Sequence, residues 1–375
     1  MNEVAQVTAN PPLGVAIFAL GGLAGAVFYL PFKKVKSWAW ESYWMVYAFF
    51  GLVIVPWLLA FSTSPNVTAV LQNAPRSEIV YCFLCGAAWG IGGLTWGLMI
   101  RYLGVGLGLA IGCGLCSAAG TLVPPILAGN LSKLYGSPSA NISLLGVVVS
   151  LAGIVLIGMA GMSKEKELPE EQKKKAVAEY DFKKGLMVAI FSGLMSAAMN
   201  FGLQGGPTIT SLAQTTEPVT SITWRGMPVL VVVLLGGFTI NFLWCLYLNF
   251  KNKTVADYAK TGVPLAGNFV FAGLAGAIWC SQFICFKTGE PAMGETGYVG
   301  WAVLMASAIL FSTLLGIMLG EWKGTSSKTR LLLACGLVLL LGSTVIAGYS
   351  GRLAQRGSGH AMAHAPCHLS CRSFS

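Results

Sequence analysis

Ten apolar stretches, each about 20 residues long, dominate the chain. They cover residues 12–30, 38–61, 79–101, 104–128, 143–162, 184–204, 227–249, 264–286, 299–320 and 331–349. A run of that length crosses the hydrocarbon core of a bilayer as a helix, pairing its own backbone groups where no water can. Only 10% of the residues are charged, against about 25% in a soluble domain. The mean hydropathy is +0.69. Before the first stretch the only charge is Glu3, which does not fit the basic start of a signal peptide. The fold class expected is all-α integral membrane, with ten transmembrane helices.

The 24 Lys and Arg residues set the orientation. Lys33, Lys34, Lys36, Arg101, Lys164, Lys166, Lys173, Lys174, Lys175, Lys183, Lys184, Lys251, Lys253, Lys260, Lys323, Lys328 and Arg330 fall in the odd-numbered loops. Each even-numbered loop holds one: Arg76, Lys133, Arg225 and Lys287. The positive-inside rule makes the odd loops cytoplasmic and puts both termini outside. The net charge of +10 is thus spread over membrane loops and forms no basic face for nucleic acid. The spacings Cys82/Cys85 and Cys113/Cys116 lie in apolar runs without a partner cluster, so they read as small buried residues, not metal ligands.

The highly charged stretch 163–183 divides the chain into two five-helix halves, 1–162 and 184–350, and residues 351–375 form a tail expected to be disordered. The halves echo each other. Gly86-Ala87-Ala88-Trp89 in the third segment recurs as Gly276-Ala277-Ile278-Trp279 in the eighth. Thr121-Leu122 in the fourth recurs as Thr313-Leu314 in the ninth, and Gly22-Leu23 in the first as Gly193-Leu194 in the sixth. Five helices is an odd number, so the second half must be inverted, as in alternating-access transporters.

Within this frame Gly86, Gly90, Gly93 and Gly97 share one helical stripe, flanked by Trp89 and Trp96. The stripe fits close helix packing, and it equally fits the wall of a binding cavity. Gly104, Gly108, Gly112, Cys116 and Gly120 make a second small-residue ridge, followed by Pro124 and Pro125. Proline lacks an N–H, so the carbonyls of Gly120 and Thr121 lose their helical donors. These become acceptors at a kink or hinge. Helices three and four are expected to rock against their repeat partners.

Polar groups in lipid are costly and therefore informative. The eighth segment carries Asn268, Ala272, Ala275, Trp279, Gln282 and Phe286 on one face. An indole offers a flat apolar surface to sugar C–H bonds, and amides offer a donor and an acceptor to hydroxyls. Asn200 and Asn241 add amides from the sixth and seventh segments. The expected substrate contacts are Trp89, Trp96, Trp279, Gln282, Asn200, Asn241 and Asn268; such amides also serve as structural links between helices. Glu41 is the one carboxylate well associated with an apolar run and the candidate proton carrier, or an interfacial residue paired with Lys33, Lys34 or Lys36. Arg101, Gly120, Pro124 and Glu321 are candidate interfacial or gating positions. With no basic residue deep in the spans, the substrate is expected to be polar and not strongly anionic. His360, His364 and His368 all lie in the tail, and no Asp lies within a span, so no constellation for an intramembrane enzyme is present.

Specific strings carry a resemblance. Pro31-Phe32-Lys33-Lys34-Val35-Lys36, Trp38-Ala39-Trp40-Glu41, Trp89-Gly90-Ile91-Gly92, Arg101-Tyr102-Leu103-Gly104 and Gly120-Thr121-Leu122 resemble the bacterial L-rhamnose–proton symporter family. Lys183-Lys184-Gly185, Asn241, Asn268, Trp279, Gln282-Phe283 and Glu321-Trp322 continue it through the second half. The loops at 205–226 and 287–298, and the tail from Gly351, stand outside it. The resemblance implies the drug/metabolite transporter fold, two inverted five-helix repeats in the bacterial inner membrane. It also implies import of a neutral 6-deoxyhexose, with a proton as coupling ion and no cofactor. The partners are then a small neutral sugar and the lipid bilayer. A metabolite or drug exporter of the same fold, and a sugar sensor that moves nothing, remain alternatives.

Overall fold

The computed structural model describes residues 9–130, 134–167 and 181–363. Among them every regular element is helical. Helix α1 spans Pro11–Val27, and Asn10 caps its start by accepting from Leu13 N–H. Helices α2 (Trp40–Phe49) and α3 (Val55–Thr63) form one rod through a π turn at Phe50–Ile54. Pro56 explains the turn: it cannot donate to the Leu52 carbonyl, so the ladder there shifts register. A short α4 follows at Val67–Asn73.

Helices α5 (Arg76–Gly104) and α6 (Gly106–Leu127) meet at Gly104, whose φ of 79° breaks the rod. Glu165 Oε1 accepts from Gly106 N–H at 2.8 Å and caps α6. Helix α7 spans Pro138–Glu167, α8 Phe182–Gln204 with Asp181 as N-cap, α9 Pro207–Thr215 and α10 Met227–Lys251. Helix α11 runs Leu265–Met293, α12 Gly300–Met318 and α13 Ser327–Ala363. Of the expected linker, residues 168–180 lie outside the described residues; so does the tail from 364, while α13 runs through its first part.

The chain is an all-α protein with nine stretches among the described residues long and apolar enough to cross a membrane. The sequence pattern predicts ten. The difference lies at Leu265–Met318, a single stretch that contains both α11 and α12 around a 3-10 turn, Gly294–Val299. The distribution of side chains is that of a body in lipid. Large apolar residues such as Leu58, Met187, Val338, Leu341 and Val345 stand exposed on the outside, while Gly, Ala and Ser line the helix contacts.

Those contacts recur in a pattern. A Cβ added to Gly86 of α5 would stand 1.8 Å from the Val233 carbonyl oxygen of α10; one added to Gly276 of α11 would stand 2.4 Å from the Tyr47 carbonyl oxygen of α2. Gly22 of α1 is pressed on Ser307 of α12, and Gly193 of α8 on Gly112 of α6. In each pair the first helix belongs to one half of the sequence and its counterpart to the other.

Candidate functional site

The centre of the bundle is a column of aromatic rings. Trp44 and Tyr47 of α2 lie 4.6 Å apart between ring centroids, and Tyr47 meets Trp279 of α11 at 6.0 Å. Trp279 also faces Trp89 of α5 at 5.1 Å and Phe283 at 4.6 Å. Phe283 and Phe286 then lead to Trp301 of α12. The packing has a local cause. Gly86 and Gly237 bring α5 and α10 so close that the Trp89 ring lies over Gly237, which turns the indole inward to Trp279. Gln282 is buried one turn above Trp279, with Oε1 against the bare Cα of Gly25 in α1.

The remaining expected contacts sit elsewhere. Trp96 gives its N–H to Ser196 Oγ at 2.8 Å and packs with Met99 on the α8 side, away from the Trp89–Trp279 pair. Asn241 accepts from the Trp44 indole at 2.9 Å and donates to the Gly237 carbonyl, so it steers the aromatic column. Asn268 clamps the backbone of Lys36, accepting from its N–H and donating to its carbonyl at 2.9 Å each. Asn200 donates to the Gly120 carbonyl at 2.7 Å, while its own Oδ1 is buried without a hydrogen-bond partner among the described residues. That carbonyl is the one Pro124 releases, and Trp301 fills the bare side of Gly120 while bonding the Cys116 carbonyl.

Glu41 is buried at the start of α2. Its Oε1 accepts from Asn252 Nδ2 and Thr254 Oγ1, both at 2.9 Å, in the turn after α10. Nearby, Asp257 accepts from Ala39 N–H and Ser42 Oγ–H, so two carboxylates lie at the positive end of α2. Burial pushes the neighbouring Tyr258 hydroxyl up to about 12. Among the described residues, these amide and hydroxyl donors hold Glu41, in the place expected for Lys33, Lys34 or Lys36. Arg101 and Glu321 are exposed at helix ends, the latter beside Gly316 and Trp322.

A second site has no counterpart in the sequence expectations. A cavity of about 510 Å³ opens where α8 ends and α10 begins, lined by Gln204, Gln214, Arg225, Lys287, Glu290, Glu295 and Tyr298 among others. Lys287 is only 6% exposed, and its Nζ reaches the Leu203 carbonyl at 3.1 Å and Glu290 Oε2 at 2.5 Å. Glu290 Oε1 accepts from Gln204 Nε2. Lys287 and Glu290, expected in a loop after Phe286, are instead held near the end of α11, so Glu41 is not the one carboxylate tied to an apolar run. The reason is that α11 does not end at Phe286. It continues to Met293, and the i, i+3 pair of opposite charges goes inside with it. The signal is present in the sequence: Lys287 and Glu290 prolong the face of Trp279, Gln282 and Phe286, and Pro291 with Gly294 marks the true helix end.

Comparison with known proteins gives the family. Residues 8–352 match the family described as L-rhamnose-proton symport protein (RhaT). The chain is 32% identical over 340 residues to the L-rhamnose-proton symporter of Pectobacterium atrosepticum, covering 90% of this chain and 97% of that protein. It is equally 32% identical over 339 residues to the L-rhamnose-proton symporters of Yersinia pestis and Yersinia pseudotuberculosis, covering 89% of this chain and 96% of each.

Proposed function

The chain belongs to the L-rhamnose-proton symport protein family, and from that premise we propose that it imports L-rhamnose or a related 6-deoxyhexose with protons, by alternating access. The observation that carries the reading is the meeting of Trp89 and Trp279 at 5.1 Å. The two indoles stand at corresponding Gly-Ala-x-Trp strings, one in each sequence half. Together they present an apolar aromatic surface suited to the C–H faces and the methyl group of a deoxy sugar when the helices part. Gln282, one turn away, supplies an amide for its hydroxyls.

Counting α11 and α12 as separate crossings gives ten transmembrane helices in two five-helix repeats. The paired contacts favour an inverted relation between them. Gly86 on α10 and Gly276 on α2 are the same contact exchanged between halves, as are Gly22 on α12 and Gly193 on α6. A site on such an axis is offered to either side when one set of helices rocks against the other. Helices α5 and α6, joined by Gly104, are suited to that motion. The clustering of Lys and Arg at the opposite end of the bundle from the 510 Å³ cavity makes the cavity end the outer, periplasmic one, with both termini on that side of the inner membrane.

The test is uptake of labelled L-rhamnose by proteoliposomes, with the external pH recorded. Sugar addition is expected to alkalinise the medium, and Trp279→Ala to raise the KM. Sugar flux without alkalinisation would leave a facilitator; counterflow that is absent altogether would leave a sensor.

A further inference from the structure

The buried pair at the cavity has a chemistry that neither the aromatic column nor Glu41 provides. Lys287 is wedged by its stem against Gly226, at the start of α10, where an added Cβ would stand 2.4 Å from Lys287 Cε. Its ammonium has two partners, the Leu203 carbonyl and Glu290. Glu290 lies on the same face of α11 as Trp279 and Gln282, about 16 Å along the helix from Trp279. Pro291 leaves the Lys287 carbonyl without its helical donor, and Gly294, with φ of 59°, ends the helix just beyond. The pair thus sits near a loosened helix end, on the wall of the open cavity.

Other charged groups surround it. Arg225 and Tyr298 line the same cavity, as does Glu295, which is exposed. On α5, Glu78 accepts from the Thr208 and Ile209 amides, and Cys82 gives its S–H to the Gly202 carbonyl. Glu290 is the carboxylate that both lines the cavity and holds a buried ammonium.

Resting on the symport reading, we infer that Glu290 binds the coupling proton and that Lys287 is its buried counter-ion. In the empty carrier the pair is internally neutral. A hydronium ion in the cavity gives its proton to a Glu290 oxygen: one O–H bond forms, and the hydronium becomes water. The ion pair is lost, and Lys287 is left as a buried ammonium without its counter-charge, held by the Leu203 carbonyl. That state is costly, so water or sugar hydroxyl oxygens in the cavity must take the place of the carboxylate. On the other side of the membrane the sugar leaves, the Glu290 O–H bond breaks, the proton passes to water, and the Lys287–Glu290 pair re-forms. The loaded carrier moves one positive charge and the empty one none.

The test uses the full-length protein in proteoliposomes. Glu290→Gln, which imitates the protonated form, is expected to keep exchange of labelled for unlabelled L-rhamnose while losing proton uptake and accumulation. Glu41→Gln is expected to keep proton uptake. Should Glu290→Gln fail to fold because Lys287 is left unpaired, the double variant Glu290→Gln/Lys287→Met restores neutrality and is expected to show the same split. Accumulation with proton uptake equal to wild type in either the single or the double variant overturns the inference. Carbodiimide labelling of the wild-type protein, which needs a protonated carboxyl and is read by mass spectrometry, is independent of which sugar is carried: Glu290 is expected to label. Rhamnose flux absent from wild type, with Glu290 labelled in this way, would sink the sugar reading and not the proton site; no labelling at Glu290 would sink the proton site.

Discussion

The side chain of Asn200 on α8 donates to the Gly120 carbonyl on α6 across 2.7 Å, and that carbonyl is free because residue 124 is a proline. A helix defect in one half of the chain is thereby satisfied by an amide from the other. Asn200→Leu leaves the Gly120 oxygen buried and unpaired, and is expected to lower stability by about 1–3 kcal/mol. Pro124→Ala restores an N–H to the ladder. The double variant should therefore be more stable than Asn200→Leu alone, as read by thermal unfolding in detergent. Equal melting of the two would mean that Pro124 does not govern the Gly120 carbonyl.

The four-glycine stripe on α5 divides into two functions. Gly86 lies against the Val233 carbonyl with no room for a Cβ, whereas a Cβ on Gly93 or Gly97 meets nothing within 4 Å. Gly86→Ala must push α5 off α10 and tilt Trp89 away from Trp279; loss of folded protein from the membrane, or of transport, is expected. Gly93→Ala and Gly97→Ala are expected to be neutral or to stabilise by up to about 1 kcal/mol, since alanine favours helix. Equal tolerance at positions 86 and 93 would contradict the close approach.

Much of this is legible in the residues. The apolar runs give the all-α membrane class because lipid forces helix on any segment of that length. The echo of Gly86–Trp89 in Gly276–Trp279 picks out two indoles that the structure brings into contact. Pro124 picks out the Gly120 carbonyl, though not its donor, which lies 80 residues on. Spacing along a helix shows which residues share a face but not which neighbour that face meets. Asn241 and Asn268 therefore look like free amides in the sequence, and both turn out to be engaged, one on an indole and a carbonyl and one on the Lys36 backbone. Lys287 and Glu290 are hidden for a different reason. Hydropathy counts each charge separately, so a neutral internal pair looks like a loop.

Gly104 joins α5 to α6 with φ of 79° and ψ of 169°, a region open almost only to glycine, and Glu165 stands where a Cβ would go. Gly104→Ala is expected to cost about 1–3 kcal/mol from backbone strain and to displace Glu165 from the Gly106 amide. If the α5–α6 joint is the rocking hinge, this variant should slow transport more than it weakens sugar affinity, lowering kcat with little change in KM. A change confined to KM would place the hinge elsewhere.

Trp96 and Trp279 make a paired test of which indoles the sugar meets. Trp96 is committed to Ser196 through its N–H, two turns along α5 from Trp89, about 10 Å from the aromatic column. Trp96→Phe removes one hydrogen bond and should lower stability by about 0.5–1.5 kcal/mol, with transport kinetics close to wild type. Trp279→Phe keeps a ring among Trp89, Tyr47 and Phe283 but shrinks the surface that faces the deoxy sugar, so stability should hold while the KM for L-rhamnose rises. The reverse pattern, with Trp96→Phe raising the KM and Trp279→Phe silent, would move the sugar from the α5–α11 contact to the α5–α8 contact.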